Sequence, residues 1–442
     1  MAHKKDLQLA RRQFLRGIAA APLILTFASP ESTPESDLLF IKKRRVPMLQ
    51  GWTDESEALL VVLGNAGWTF SCLSGDQVQI QVFKTQKIIN TDYVIYTLKV
   101  RNLAPTFYSS IGVYDAVKNL LDTRSLKGVD LDMRSPQIAV ASCSNYRNLD
   151  QQEAMYNQVQ LQSPDMIFFT GDIVYSNSRV SSVVGTPETP SNALERYLLT
   201  WNSVNLYQLE PLVPTLAVWD DHDFGTNNGG FDHPYKNEMK EIFRTFYPLP
   251  TWHRSILPGP GISFRLRAFG MDCYFMDGRT FFEKKRTQWG DQQQDWLAQD
   301  FNSSSLPAWI LNGTQFFRYF LTVESVEKSA EPTLQQLQQL LRSKKKPVAL
   351  MSGDVHCSQI QEIPASFFGF KTYEITSSGI HSRSAGRAMY RKNDRNQLFY
   401  CGDENFLIIR PTIHESSMEL EISCATTAGT SSVASGAFRI AI

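Results

Sequence analysis

Pro214-Thr215-Leu216-Ala217-Val218-Trp219-Asp220-Asp221-His222-Asp223-Phe224-Gly225 decides how this 442-residue chain is read. The apolar or small residues Pro214 to Val218 read as the last buried part of a strand. Two adjacent carboxylates, an imidazole and a third carboxylate follow at once, and Gly225, Gly229 and Gly230 open a loop. Four ionisable groups in a row repel one another and desolvate badly beside a core. A bound cation removes that conflict. The segment therefore predicts hard oxygen ligands and one proton donor at the rim of a sheet, with a solvated acidic loop as the plainer alternative.

The surrounding sequence repeats the arrangement. Ile138–Ala141, Asp165–Thr170, Pro214–Trp219, Gly270–Met276 and Pro347–Met351 are short apolar runs that read as strands. Gln151–Gln162, Asn192–Val204, Asp291–Phe301 and Thr333–Arg342 read as helices between them, which makes this region α/β. Just past the runs stand Cys143, Asp172, Asp221 with His222, Asp277 with Arg279, and Asp354 with His356. Groups at the carboxyl ends of neighbouring strands converge on one crevice.

Upstream the texture differs. Glu57–Leu63, Trp68–Leu73, Val78–Phe83 and Tyr93–Val100 are short runs between Gly, Asn and Asp turns, and Gln77–Val82 alternates polar and apolar. Residues 38–132 predict a small antiparallel β-sandwich domain, the polar stretch Asp122–Gln137 a linker, and residues 137–442 a second domain. The last strands are expected in the alternating tail from Phe406 to Ile442. Residues 1–28, with Arg11-Arg12-Gln13-Phe14-Leu15-Arg16 before an apolar stretch and Thr26-Phe27-Ala28, resemble a twin-arginine export signal. Ala10 stands where Ser or Thr is usual, and an uncleaved anchor is the alternative. Such a signal implies passage through the twin-arginine translocase to the periplasm or the medium. With no other long apolar segment, no stable membrane span is expected in the mature protein.

Net charge is zero, from 44 basic and 44 acidic residues, which gives no electrostatic footprint for nucleic acid or an anionic membrane. The six cysteines are scattered, with no CxxC pair, and most read as buried small hydrophobes; a disulfide between domains or near the carboxyl end stays open. No Gly-x-Ser-x-Gly elbow or Gly-x-x-x-x-Gly-Lys loop occurs, which weighs against a serine hydrolase or an ATPase.

Gly171-Asp172-x-x-Tyr175, Trp219-Asp220-Asp221-His222-Asp223, Asp277-x-Arg279 and Ser352-Gly353-Asp354-Val355-His356 together resemble the PhoD-like alkaline phosphatases of the metallophosphatase superfamily. Gly290-x-x-Gln293-x-x-Trp296-Leu297 and Tyr373 to Ser378 fit the same pattern. The resemblance implies a metallophosphatase two-sheet β-sandwich core flanked by helices, with an amino-terminal β-sandwich. It implies hydrolysis of small-molecule or polymer phosphate esters by a metal-held hydroxide, with iron(III) and calcium as cofactors rather than zinc. Seven histidines are too few for a His-rich dizinc site, while carboxylate, phenolate and thiolate suit iron and carboxylate and amide oxygens suit calcium.

By resemblance, Cys143, Asp172 and Tyr175 ligate iron, with Asp172 bridging. Asp221 and Asp354 hold calcium or a bridging position, and His356 is a metal-bound imidazole. His222 is the expected general acid, its proton affinity raised by Asp221 and Asp223. Arg279 is expected to grip phosphate oxygens, with an ion pair to Asp277 as its structural alternative. Asn227 is a substrate-binding candidate, and Asn145, Asn227 and Asn228 are further oxygen-ligand candidates. His233, His253, His381 and His414 carry no motif, with His253 and His381 kept as pocket residues. A monomer is expected. The alternatives are a phospholipase or teichoic-type phosphodiesterase with little monoesterase activity, and a non-catalytic extracytoplasmic binding protein stabilised by metal.

Overall fold

Residues 45–442 are described by a computed structural model, apart from 76, 89–90, 149–150, 178–185, 319–323, 383–395 and 434–437. The export signal and the first residues of the 38–132 region lie outside the described residues. The fold is mixed α/β, dominated by strands in four sheets.

Two large sheets carry the site. In the first, Ile138–Ala141, Met166–Thr170 and Thr215–Val218 run parallel, and Asn405–Ile413 with Ser417–Thr426 continue the sheet antiparallel. In the second, Met271–Phe275, Ala308–Leu311, Val348–Ser352 and Thr372–Thr376 are the parallel centre. All seven of these parallel strands are buried along their whole length. Both faces of such strands are covered, so their sequences are continuous apolar runs rather than alternations. The sheets face one another through Phe168, whose ring meets Phe275 at 5.0 Å and Trp309 at 6.3 Å.

Helices cover the outer faces where their apolar stripe allows. Pro190–Ser203 begins with proline in its first turn and Thr189 accepting a hydrogen bond from the Asn192 N–H. Lys236–Phe246 buries Met239, Ile242, Phe243 and Phe246, a spacing that keeps one face inward.

The amino-terminal strands form two antiparallel sheets. Met48–Thr53, Glu57–Asn65, Tyr93–Arg101 and Gln79–Lys87 make one, and Thr69–Ser74, Ser109–Tyr114 and Leu120–Leu126 the other. Successive residues of Glu57–Asn65 serve different cores. Ala58, Leu60 and Val62 pack toward Ile111, Val113 and Leu126, while Leu59, Val61 and Leu63 join the core that holds the large sheets. The expected linker Asp122–Gln137 is corrected at its start, because Leu120–Leu126 is a paired strand. Its polar look comes from Arg124, which is fully buried and donates to Asp122 and to the carbonyls of Leu209 and Val46.

Candidate metal centre

Strand ends aim the side chains. Cys143 follows Ile138–Ala141, Asp172 follows Met166–Thr170, Asp220 and Asp221 follow Thr215–Val218, and Asp354 and His356 follow Val348–Ser352. Cys143, Asp172, Asp354 and His356 all have left-handed backbone, with φ of 59°, 56°, 72° and 52°. A non-glycine residue there costs roughly 1–3 kcal/mol, and such strain gathers where a side chain must point against local preference. Two glycines let the strand ends close up. A Cβ on Gly353 would lie 2.4 Å from the Thr170 carbonyl oxygen and 2.7 Å from Ser142 Oγ. A Cβ on Gly171, at φ +88°, would lie 2.5 Å from Asp220 Cβ.

Three overlapping sets of ligand atoms result. Cys143, Asp172 and His356 form one; Asp172, Asp221 and His222 a second; Asp220, Asp221 and Asp354 a third, with atoms in each set within 4.8 Å of one another. Asp172 and Asp221 belong to two sets each, the placement a bridging carboxylate requires. Tyr175 is buried, its hydroxyl 3.0 Å from His356 Nε2 and 3.0 Å from Ser382 Oγ. Cys143 Sγ lies 3.2 Å from the hydroxyls of Ser142 and Ser378 and 3.5 Å from Asp172 Oδ2.

Residues 138–245 match the family model for PhoD-like phosphatases. That segment is PhoD-like. It carries Cys143, Asp172, Tyr175 and the Asp220–Asp223 run, while Asp277, Arg279, Asp354 and His356 lie beyond it. A solved structure described as that of PhoD superposes with a TM-score of 0.64 at 14% identity, over 89% of this chain and 93% of that one. At that identity the likeness speaks for a PhoD-like fold. A Thermus thermophilus protein, TT1561, aligns with a TM-score of 0.30 at 10% identity, over 55% of this chain and 88% of that one. A putative 5′-nucleotidase from Staphylococcus aureus aligns with a TM-score of 0.30 at 9% identity, over 70% and 54%. No curated protein matches in sequence.

The donor set of the site fits cations. Asp220 Oδ2 and Asp221 Oδ1 are buried without a hydrogen-bond partner, a costly state for a carboxylate oxygen. Burial, then the neighbouring charges, pushes Asp172 and Asp354 well above the usual carboxylate range. Burial also lifts Asp220 to about 7, although Arg279 opposes it. Asp221 alone is lowered: burial works against its charge, but His222, Arg279 and the N–H groups of Asn228 and His222 outweigh it. At Cys143 burial is likewise outweighed, by His356 and by hydrogen bonds from His356, Ser142 and Ser378, and the thiol comes down to about 7. A crowd of carboxylates that cannot all be charged in an empty site can be charged around a metal.

Some expected roles are corrected. Arg279 is fully buried and its three nitrogens are engaged. Nε donates to Asp220, Nη1 to Glu324 at 3.0 Å, and Nη2 to Thr314 at 2.9 Å. It fixes Asp220 rather than offering a fork to substrate, and its carboxylate partners are Asp220 and Glu324, not Asp277. Asp277 instead accepts from Trp219 Nε1 at 2.8 Å and the Ile262 N–H at 2.9 Å. The expected rise in His222 proton affinity is reversed. Burial lowers its pKa, and the charges of His356, Arg279 and Arg147 add to that against Asp221. Asp223 is spent on the backbone, accepting from the N–H groups of Asp172, Val174 and Asp220 at 2.6, 2.7 and 2.9 Å.

The remaining candidates are placed as follows. His222 Nδ1 meets Asn177 Oδ1 at 2.9 Å, and its ring stacks on Tyr175 at 4.2 Å. Asn227 is partly buried, and the next residue, Asn228, donates its N–H to Asp221 Oδ2 at 2.7 Å. Asn145 Oδ1 accepts from the Arg147 N–H in a turn. His381 is buried, 2.8 Å from Ser144 Oγ, and His253 packs on Trp52 and pairs with Asp54 at 3.1 Å. Sequence reasoning missed Asp220 as a candidate ligand, and it missed Asn177 and Glu324. Asp220 stood in the quoted segment, but nothing in a row of carboxylates tells which points inward.

Proposed function

We propose that this chain is an exported, metal-dependent phosphoric ester hydrolase that acts on phosphomonoesters and phosphodiesters. The observation that carries the reading is the chain of three ligand sets joined by Asp172 and Asp221. Cys143, Asp172, Tyr175 and His356 would hold iron(III), and Asp172, Asp220, Asp221 and Asp354 would hold calcium. Ions there supply the positive charge that neutralises phosphoryl oxygens and lowers the pKa of the attacking water.

The chain's own residues do the rest. Arg279 and Glu324 hold Asp220 in place, and Asp223 locks the Asp172 and Asp220 turns to each other. Asn177 and the Tyr175 ring fix the His222 imidazole, which leaves Nε2 to give its proton to the departing alkoxide. Export rests on the Arg11-Arg12 segment, with the periplasm or the medium as destination. Among the described residues no helix is long and apolar enough to cross a membrane.

The test is metal analysis of protein purified without chelator, beside rates on p-nitrophenyl phosphate and bis(p-nitrophenyl) phosphate with calcium added or chelated. Iron and calcium in the protein, with hydrolysis that chelation abolishes, is the expected result. Absence of both metals and of hydrolysis would sink the reading.

A further inference from the structure

Arg147 stands on the loop after Cys143, and Arg196 on the helix Pro190–Ser203. Both donate to one neutral oxygen: Tyr146 Oη lies 3.2 Å from Arg147 Nε and 3.2 Å from Arg196 Nη1. The Arg147 guanidinium also covers the Tyr146 ring at 5.0 Å. Its Nη2 donates to the Asn177 carbonyl at 2.8 Å, and the Tyr175 carbonyl lies 3.5 Å away. Asn177 and Tyr175 are the two residues that bracket His222, so Arg147 is fastened to the edge of the proposed catalytic site.

Among the described residues no carboxylate meets either charge of this pair. Arg124, Arg265, Arg267 and Arg279 each meet a carboxylate. Among the described residues neither Arg147 nor Arg196 does, Arg147 Nη1 donates to nothing, and Arg196 Nε is buried without a partner. Two guanidinium ions on one phenol oxygen repel each other unless an anion joins them. Guanidinium forks fit phosphate oxygens bidentately. Both residues are partly exposed, so an anion can reach them.

We propose that Arg147 and Arg196 form a cationic subsite that takes a second phosphate group of the substrate, beside the ester that is cleaved. The inference rests on the hydrolase reading and narrows its substrate class to phosphate esters that carry a further phosphate. That group is either a second phosphate on a small ester or the next phosphate along a phosphodiester. Water adds to the first phosphorus, the alcohol leaves with a proton, and the second phosphate is unchanged.

The test compares adenosine 5′-monophosphate, adenosine 3′,5′-bisphosphate and a 5′-phosphorylated dinucleotide, by turnover and by calorimetric titration, on the metal-loaded protein. The bisphosphate or the dinucleotide should bind more tightly than the monophosphate, and whichever does names the source of the second phosphate. Arg196→Gln and Arg147→Gln should each cut that preference roughly tenfold, with Arg196→Lys in between. Equal binding of all three ligands, or a preference that survives both Gln variants, overturns the subsite. No turnover with the binding preference intact would retire the hydrolase reading and leave the subsite standing.

Discussion

His222 has its role set by two opposing facts. In the proposed reaction it gives the proton, yet burial and three neighbouring cations lower its pKa, so its imidazolium form is scarce at alkaline pH. A p-nitrophenolate leaves without a proton, whereas an alkoxide needs one. His222→Ala should therefore slow an alkyl phosphate by about 10²–10⁴-fold and p-nitrophenyl phosphate far less, with iron and calcium content unchanged. The wild-type rate on the alkyl ester should fall as pH rises past the lowered pKa, because the protonated form exists only below it. Loss of metal in the variant would instead make His222 a ligand. Arg279 is a different case, a buried cation between two carboxylates. Arg279→Met removes one partner from a buried network and should destabilise the fold by roughly 3–5 kcal/mol in denaturant unfolding. A change in KM alone, with stability intact, would return Arg279 to the substrate-gripping role.

At the level of strands and helices, what the sequence shows depends on how many faces an element buries. Ile138–Ala141, Met166–Thr170 and Thr215–Val218 are covered on both sides, and their apolar runs were legible to within a residue. Ala308–Leu311 is buried in the same way and ends the apolar run Leu306–Leu311, yet it was overlooked. Leu120–Leu126 was hidden because its inward positions include Arg124, satisfied by carbonyls far along the chain. The helix Lys236–Phe246 was overlooked although its apolar positions recur at helical spacing. The site depends on how closely strand ends approach across the two sheets, and Gly353 marks that approach. Gly353→Ala would press a methyl group into the Thr170 carbonyl and Ser142. It should lower stability by about 1–3 kcal/mol and weaken metal retention on dialysis, since Asp354 must move with its neighbour. Unchanged metal content and unfolding midpoint would show that the strand ends have slack there.

For the whole molecule, the convergence of strand ends was readable, because each carried an ionisable residue after an apolar run. The division of labour was not. Whether Asp220 or Asp223 faces a metal depends on which backbone N–H groups each meets, and Asp223 is consumed by three of them from two different turns. The same crowding makes stability depend on pH and metal together. In the metal-free protein burial raises Asp220 to about 7 and Asp223 to about 8, and lifts Asp172 and Asp354 well above their usual range. Unfolded carboxyls titrate near 4, so between about pH 4 and 8 the native chain holds protons that the unfolded chain releases. Their stabilisation is complete below about pH 4 and is lost as pH rises through 7 and 8. Cys143, lowered to about 7, acts in the opposite sense only above that pH, and it is one group against four. Bound cations take over the role of those protons, so metal binding should release protons and remove the dependence. The gap in melting temperature between metal-loaded and chelated protein should therefore widen from pH 6 to pH 8.5. If calcium is the ion bound, a concentration a hundredfold above its Kd should add about 2.7 kcal/mol at alkaline pH. Differential scanning calorimetry across that range, on chelated protein with and without iron and calcium, is the measurement. A gap that stays constant or narrows with rising pH would mean that these carboxylates do not share the cations.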